Sequence, residues 1–318
     1  MPPVTFLYPG TVVDRRLPVN LEPADRGLFA GEASRTFPDV SASNLRRVRV
    51  YADGYCEQAA GSIPRPVLLF TDASPSIRQL IKAAFTVASR AVRRPEALRR
   101  VPVGRGLLLT DIYFSGFYHW FCDVLPKLSA LRRLDVPLDE FEEIVPESRD
   151  GPYVAPTLAA YGMRARVIGK GEYADVEQLC FIPRLGPTGN CRPELIADVA
   201  GTIRRLVHAP RPGARLYISR AKAIKRRFVN EDAILPVLRD FGFQIACLED
   251  LTFEEQLRLT CGCSVIAGLH GAGLTHILWM QPQGRVLEIR GEQGRRNNCY
   301  FSLDVERFER ALRLLVER

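Results

Sequence analysis

The stretch from Cys263 to Arg290 constrains this chain most. An apolar run, Val265-Ile266-Ala267, is short enough for a buried strand. Gly268, His270, Gly271 and Gly273 then fall within six residues, and Leu274, Ile277, Leu278 and Trp279 recur at helical spacing up to Met280. Pro282 and Gly284 stop that helix, and Val286 to Ile289 reads as the next strand. The glycines therefore sit where a strand ends and a helix begins. The first N–H groups of a helix have no intrahelical partner, and its dipole favours an anion there. Glycine also lets a ligand come close to the backbone. His270 and His276 flank the turn, in a chain with four histidines. The competing account is a tight turn whose glycines serve packing alone.

The same alternation extends upstream. Leu216-Tyr217-Ile218 reads as a strand, Asn230 as the cap of a helix that Gly242 ends, and Phe243 to Ala246 as a strand. Thr252 and Glu255 form a capping box for a helix closed by Gly262. Strand–helix units in series imply a parallel, doubly wound sheet, which binds ligands at the carboxyl ends of its strands. The glycine turn lies at one such end. Ser219-Arg220 lies at another, with Lys222, Lys225, Arg226 and Arg227 close behind. This combination reads as a site for a phosphorylated ligand, most economically a nucleotide.

A second informative stretch is Gly116 to Leu134. On a helix Phe121, Val124, Leu125, Leu128 and Leu131 make one apolar face. His119 and Asp123 share the other face, with Lys127 one step further on. Pro126 removes a backbone hydrogen bond and crowds the carbonyl of Cys122, so a kink is expected there. An ordinary polar pair on a surface helix is the alternative account of His119 and Asp123.

Elsewhere, Leu45 to Tyr51, Val67 to Phe70, Leu107 to Leu109, Glu143 to Val145, Ala165 to Ile168 and Leu179 to Ile182 read as strands. Ile77 to Val92, Pro156 to Tyr161 and Glu194 to His208 read as helices. The Pro/Gly-rich segment 183–193 has the composition of a hinge. It divides the chain into expected domains 1–188 and 189–318.

Net charge is +8, spread over short arginine pairs, which suits anionic ligands or an anionic membrane surface. No nucleic-acid module accompanies it. Eight cysteines include no C-x-x-C pair, which argues against a zinc site or a disulfide framework and for a reducing cytosol. The N-terminus has neither a basic n-region nor an apolar h-region, so no signal peptide is expected. No apolar run reaches the roughly 18 residues a membrane span needs.

The segments ARLYISRAKAIKRRFVNEDAILPVL, IAGLHGAGLTHILWM and VLEIR resemble the C-terminal half of family-61 glycosyltransferases, and GFYHWFCDVLPKL resembles the family's His-then-Asp signature. The family includes capsular-polysaccharide, xylan-decorating and EGF-repeat O-GlcNAc enzymes. The resemblance implies an α/β, GT-B-like fold: two Rossmann-like domains with mostly parallel sheets facing a cleft. It implies inverting transfer from a nucleotide sugar, usually UDP-linked, to a saccharide or glycoconjugate hydroxyl, with no metal and no cofactor. The lack of a clustered Asp-x-Asp motif agrees with that. Matched residue by residue, Asp123 is the expected base, with His119 second or its partner. Arg220, Lys225 and the backbone of Gly271, Ala272 and Gly273 would hold the diphosphate. His270, His276 and Glu288 complete the expected donor site, Glu288 at the ribose. From the cysteine usage and the basic charge, and not from the resemblance, the expected setting is the cytoplasm, with the inner face of a membrane as a peripheral site. In one place the chain departs from its relatives: Asn297 to Leu303 runs straight into a terminal helix, where they carry a longer stretch. Two other classes compete. A nicotinamide-linked dehydrogenase would need G-x-G-x-x-G after its first strand, and the turn here is G-L-H-G-A-G on a late one. A non-catalytic nucleotide-sugar or polyanion binder would bind UDP without turnover.

Overall fold

The computed structural model describes residues 4–21, 23, 26–58, 65–67, 81, 85, 98–110, 116–147, 150–187, 189–208, 213–224, 226–290 and 300–317. They form two compact units, Met1–Val199 and Ala200–Arg318. Among these residues no helix is long and apolar enough to cross a membrane.

The first unit begins with β1 (Val4–Tyr8), β2 (Thr11–Asp14), β3 (Ser34–Phe37), β4 (Val40–Tyr51), β5 (Cys56–Gln58) and β6 (Arg65–Val67). It continues with β7 (Arg99–Leu108), β8 (Glu142–Pro146), β9 (Arg164–Ile168) and β10 (Glu172–Phe181). Among the described residues β2 and β3 pair only with each other. The others form one sheet in the order β6-β5-β4-β10-β7-β8-β9, with β1 also on β4. The segment β10-β7-β8-β9 is parallel, while β4 is antiparallel to β10, β5 and β1. A mostly parallel N-terminal sheet was expected, and half of it is not. The cause is local. β4 and β5 are joined by a four-residue turn in which Gly54 takes φ +81°, and so short a link joins only antiparallel strands. Val48 and Val50 on β4, Val103 on β7, Ile144 on β8 and Val176 on β10 alternate inward to build the core. In the parallel half, β7, β8 and β9 follow one another outward, and β10 returns to the opposite side of β7. The order thus reverses between β7 and β10, where Leu108 and Phe181 are register partners at the two carboxyl ends.

The segment 183–193 is not a free hinge. Arg192 is buried, donates to the carbonyls of Leu185, Pro9 and Pro38 at 2.7–2.8 Å, and lies over the rings of Tyr8 and Phe37. That anchor places the segment within the first unit, and the division falls later, inside the helix Pro193–Arg204. Of the expected helix 77–92, only Ile81 and Phe85 are described; both are helical and exposed. The expected strand at 67–70 is described only at Val67, the last residue of β6.

The second unit holds β11 (Ala214–Ile218), β12 (Arg227–Phe228), β13 (Phe243–Ala246), β14 (Cys263–Leu269), β15 (Arg285–Ile289) and β16 (Tyr300–Phe301). Four of these form an all-parallel sheet, β13-β11-β14-β15. Tyr217, Val265 and Ala267 pack with Ile234 and Leu238 of one helix and with Phe308 and Leu312 of the terminal helix. Leu216, Ile218 and Ile266 point the other way, to Leu248, Leu274 and Met280. Helical segments on both faces make the sheet doubly wound, as the alternation predicts, and its order reverses between β11 and β14. The capping box is formed: Glu255 N–H donates to Thr252 Oγ1, and Thr252 N–H to Glu255 Oε2. Asn230 stands at the expected cap position but does not cap with its side chain. Its amide instead grips both backbone groups of Leu303, at 2.8 and 2.9 Å.

Candidate functional site

At the reversal in the second unit, β11 ends at Ile218 and β14 at Leu269, with Ile218 beside Gly268. Arg220 comes off β11, and its Nε donates to the carbonyl of Arg226 at 2.9 Å. Arg226 holds φ at +59°, a left-handed backbone that costs a non-glycine residue energy. The guanidinium lies against the glycine turn: a Cβ on Gly271 would stand 2.7 Å from Arg220 Nη1. Glycine at 271 is thus a matter of space for the arginine. Gly271 also opens a helical segment, Ala272–Trp279, wound as a 3-10 helix where an α-helix was expected. Leu274 N–H bonds the carbonyl of Gly271, and Arg204 donates to the carbonyls of Leu278, Trp279 and Met280 at the other end. Burial lowers the pKa of Arg220, and Arg226 lowers it further, against a smaller opposing effect of Glu249.

The expected donor residues divide into three groups. Arg220, Gly271, Ala272 and Gly273 gather at the reversal. His270, the first residue past β14, and Glu288 on β15 stand beside them, and they engage each other: His270 Nδ1 donates to Glu288 Oε1 at 2.5 Å. Arg290 donates to the other carboxylate oxygen at 2.8 Å. Burial pushes the Glu288 carboxyl up, but the His270 bond and the Arg290 charge outweigh it and hold the net value below the usual range. This pairing was not legible in advance, because Glu288 and His270 meet only through the register of two strands. His276 goes elsewhere. It is 1% exposed, sits edge-on to Trp279, and burial drops its pKa to about 3. It is a neutral core side chain, so the expected donor contact is corrected. Lys225 lies outside the described residues.

In the first unit His119 and Asp123 pair as their spacing predicts, with Nδ1 to Oδ2 at 2.6 Å. The helix that carries them is irregular. Phe117–His119 is α-helical, Trp120–Val124 is a π-turn in which Leu125 N–H reaches back to the carbonyl of Trp120, and Leu125–Arg133 is α-helical again. Pro126, the expected kink, is the cause. It has no N–H to offer the carbonyl of Cys122, which accepts from the Cys191 thiol instead, at 3.7 Å. The His119 side chain is 31% exposed and that of Asp123 only 4%. Asp123 also lines a small pocket with Cys122, Pro126, Asn190, Cys191 and Arg192. Lys127 is not on a solvent face with them, as its spacing suggested. It is fully buried, and Nζ donates to the carbonyls of Leu109 at 2.5 Å and Ile182 at 2.8 Å. Glu143, also buried, accepts from Leu109 N–H at 3.1 Å, and burial raises its pKa well above the carboxylate range. Nothing in residue spacing distinguishes a lysine of this kind from a solvated one.

Among the described residues no group of three or more His, Cys, Asp or Glu side chains could hold a metal ion. What the two regions offer chemically is a half-buried arginine over a helix-opening glycine turn, and a histidine oriented by a buried carboxylate.

Comparison with known proteins adds the family. The chain is 31% identical over 83 residues to the EGF domain-specific O-linked N-acetylglucosamine transferase of Mus musculus, covering 24% of this chain and 15% of that protein. It is 33% identical over 90 residues to the Drosophila melanogaster protein of the same name, covering 27% and 17%. For the Gallus gallus protein the figures are 40% over 83 residues, 24% and 15%. The matched stretch thus spans about a sixth of the curated relatives' length. The family model Glycosyltransferase 61 matches residues 117–287, from the His119–Asp123 helix through the glycine turn to β15 and over more than half of the chain, and on that match the chain belongs to the glycosyltransferase 61 family.

Proposed function

We propose that this glycosyltransferase is an inverting, GT-B-type enzyme that moves a sugar from a UDP-linked donor to a hydroxyl without a metal, in polysaccharide or glycoconjugate synthesis. The observation that carries the reading is Arg220 laid along Gly271 at the strand-order reversal of the second unit. In a doubly wound sheet that crevice is where nucleotides bind. There the arginine and the opening N–H groups of the 3-10 segment offer a diphosphate the donors and charge that a metal would otherwise supply. His270, oriented by Glu288, is the third group in reach of the phosphates or sugar.

The His119–Asp123 pair serves the acceptor. Its geometry supports a reversal of the expected roles. Asp123 is buried and accepts a hydrogen bond from Nδ1–H, so the nitrogen left to meet a hydroxyl is His119 Nε2. In the transfer, Nε2 removes the hydroxyl proton and the oxygen attacks the anomeric carbon. The bond from that carbon to the diphosphate breaks, and its electron pair leaves with the diphosphate. Asp123 stabilises the imidazolium formed. A cytoplasmic setting at the inner face of a membrane belongs to the same proposal, supported by the net charge of +8.

The test is a thermal-shift panel of UDP-, GDP-, CMP- and dTDP-sugars, with and without EDTA. UDP-N-acetylglucosamine comes first because the relatives' name contains that sugar. A ligand at 100 times its Kd adds about 2.7 kcal/mol of apparent stability. Asp123→Asn and His119→Gln are expected to keep nucleotide affinity and to lose turnover by about 10²–10⁴-fold. Binding that disappears in EDTA would overturn metal independence, and near-normal turnover in both variants would overturn the base assignment.

A further inference from the structure

We propose that Lys127 is the positioning residue of the His119–Asp123 pair: it pins the helix that carries the pair to the two strand ends at which the first sheet reverses its order. This rests on the base role given to that pair above. Lys127 is one helical turn beyond Asp123 and directly follows Pro126. Its ammonium donates to Leu109 and Ile182, which are the first residues past β7 and β10. Leu109 is thereby held through both backbone groups, its carbonyl by Lys127 and its N–H by Glu143.

The helix needs such a fixture. Around the pair its own backbone ladder is irregular, with a π-turn from Trp120 to Val124 and a carbonyl at Cys122 that Pro126 cannot serve. Trp120 ties the start of the turn to Thr157 at 2.9 Å; without a second anchor beyond Asp123, the rest of the turn could settle into more than one winding, each of which aims the imidazole differently. An apolar side chain would fill the same interior volume with no charge to desolvate. A lysine there gives something a leucine or methionine cannot: two directed bonds that fix the height and rotation of the helix against two strand ends at once. Reacting groups misplaced by about 1 Å lose on the order of 10²-fold in rate, so the fixture has a kinetic consequence although Lys127 touches no substrate.

The experiment compares Lys127→Met with the full-length wild type below the melting temperature of both. Three quantities are read: the imidazole signals in long-range proton–nitrogen NMR spectra, with His119 assigned from His119→Gln; the Kd for UDP; and UDP release from whichever sugar donor the panel selects. Wild type is expected to show a slowly exchanging Nδ1 proton on His119. In Lys127→Met that signal broadens or vanishes, His276 keeps its own, UDP affinity holds within about twofold, and turnover falls about 10–100-fold. A variant with a lower melting temperature but an unchanged His119 signal and unchanged turnover would overturn the proposal, because packing alone behaves that way. If Lys127→Met does not fold, Lys127→Gln, which keeps a donor at shorter reach, takes its place with the same readouts. Failure of both to fold would also overturn it, since Lys127 would then serve folding and not aim. The His119 signal needs no substrate, so it decides the matter even if the panel finds no donor and the reading above fails.

Discussion

In residues 1–199 the strand order reverses between β7 and β10, and a cation bridges the two strand ends there: Lys127, wholly buried, bonded to Leu109 and Ile182. In residues 200–318 the order reverses between β11 and β14, and a cation stands there too: Arg220, half-buried, with Nε on the carbonyl of Arg226 and Nη1 along Gly271. Topology thus offers a ligand crevice twice. The first is filled from within. Lys127 spends its donors on protein carbonyls, and the result is a rigid seat for the helix above it. The second lodges its cation against the backbone of the glycine turn, and the donor site proposed above is built on that contact. The comparison teaches that two reversals of the same topology are used differently according to what claims the cation lodged there: two strand-end carbonyls for Lys127, one carbonyl and the glycine turn for Arg220. The histidines follow the same division. His119 and His270 each give Nδ1 to a carboxylate, one buried and one shared with Arg290, while His276 is sealed in the interior beside Trp279.

The largest effect should come from Arg192, the anchor of the segment between the last strand and the boundary helix. Arg192→Met removes a buried guanidinium from three carbonyls, that of buried Leu185 and those of exposed Pro9 and Pro38, and is expected to cost about 3 kcal/mol of the first unit's stability. The chain has two tryptophans, Trp120 in the first unit and Trp279 in the second, each donating to a threonine, Thr157 and Thr260 respectively. Urea melts of single-tryptophan variants should therefore show the Trp120 transition moving and the Trp279 transition staying. Equal movement of both would mean that the two units unfold as one.

Arg220→Ala comes next. It removes a charged donor from the glycine turn and should weaken UDP binding by about 10–100-fold, the worth of a hydrogen bond to a charged group. Gly271→Ala tests the same contact from the other side. The new Cβ would meet the guanidinium, which must move away, so a smaller loss in the same direction is expected by calorimetry. If Gly271→Ala binds UDP as wild type does, Arg220 does not need its place along the turn.

Much of this division is legible in the sequence, and unevenly. The second unit reads almost directly, because each strand there is a short apolar run closed by glycine, a cap or proline: Val265 to Ala267 before Gly268, Phe243 after Gly242, Thr252 with Glu255. Such signals are local, and so are the structures they specify. His119 and Asp123 are legible for the same reason, being one turn apart on one helix. Partners distant in sequence leave no such trace. Arg192 finds Pro9 and Pro38 across more than 150 residues, so a segment with hinge composition becomes an anchored one. Lys127 reads as a solvated lysine until β7 and β10 bring two carbonyls to it. Asn230 occupies a cap position that its side chain leaves for Leu303. In each case local preference suggested one use for a polar side chain, and a tertiary carbonyl or amide claimed it for another.

His276 gives the smallest effect and separates it from the two paired histidines. In the folded chain its imidazole stays neutral down to about pH 3, because burial disfavours the charged form; unfolded, it takes a proton near 6.5. As pH falls from 6.5 towards 3, the unfolded state therefore binds a proton that the folded state refuses, and stability drops. One such group contributes at most about 1.4 kcal/mol per pH unit, and less near 6.5 where the unfolded imidazole is only half protonated. Between about pH 7 and pH 5.5 the expected loss is thus roughly 1 kcal/mol, and it falls on the second unit. His276→Gln has no such group to titrate. Its Trp279-detected urea midpoint should start below that of wild type at neutral pH, since the fit against Trp279 is disturbed, and then decline less steeply with acid. Subtracting the two curves cancels the contributions of His208 and His270, which both proteins share. Parallel curves would mean that His276 meets water in the folded chain, and its place would then be with the histidines that can act on a ligand.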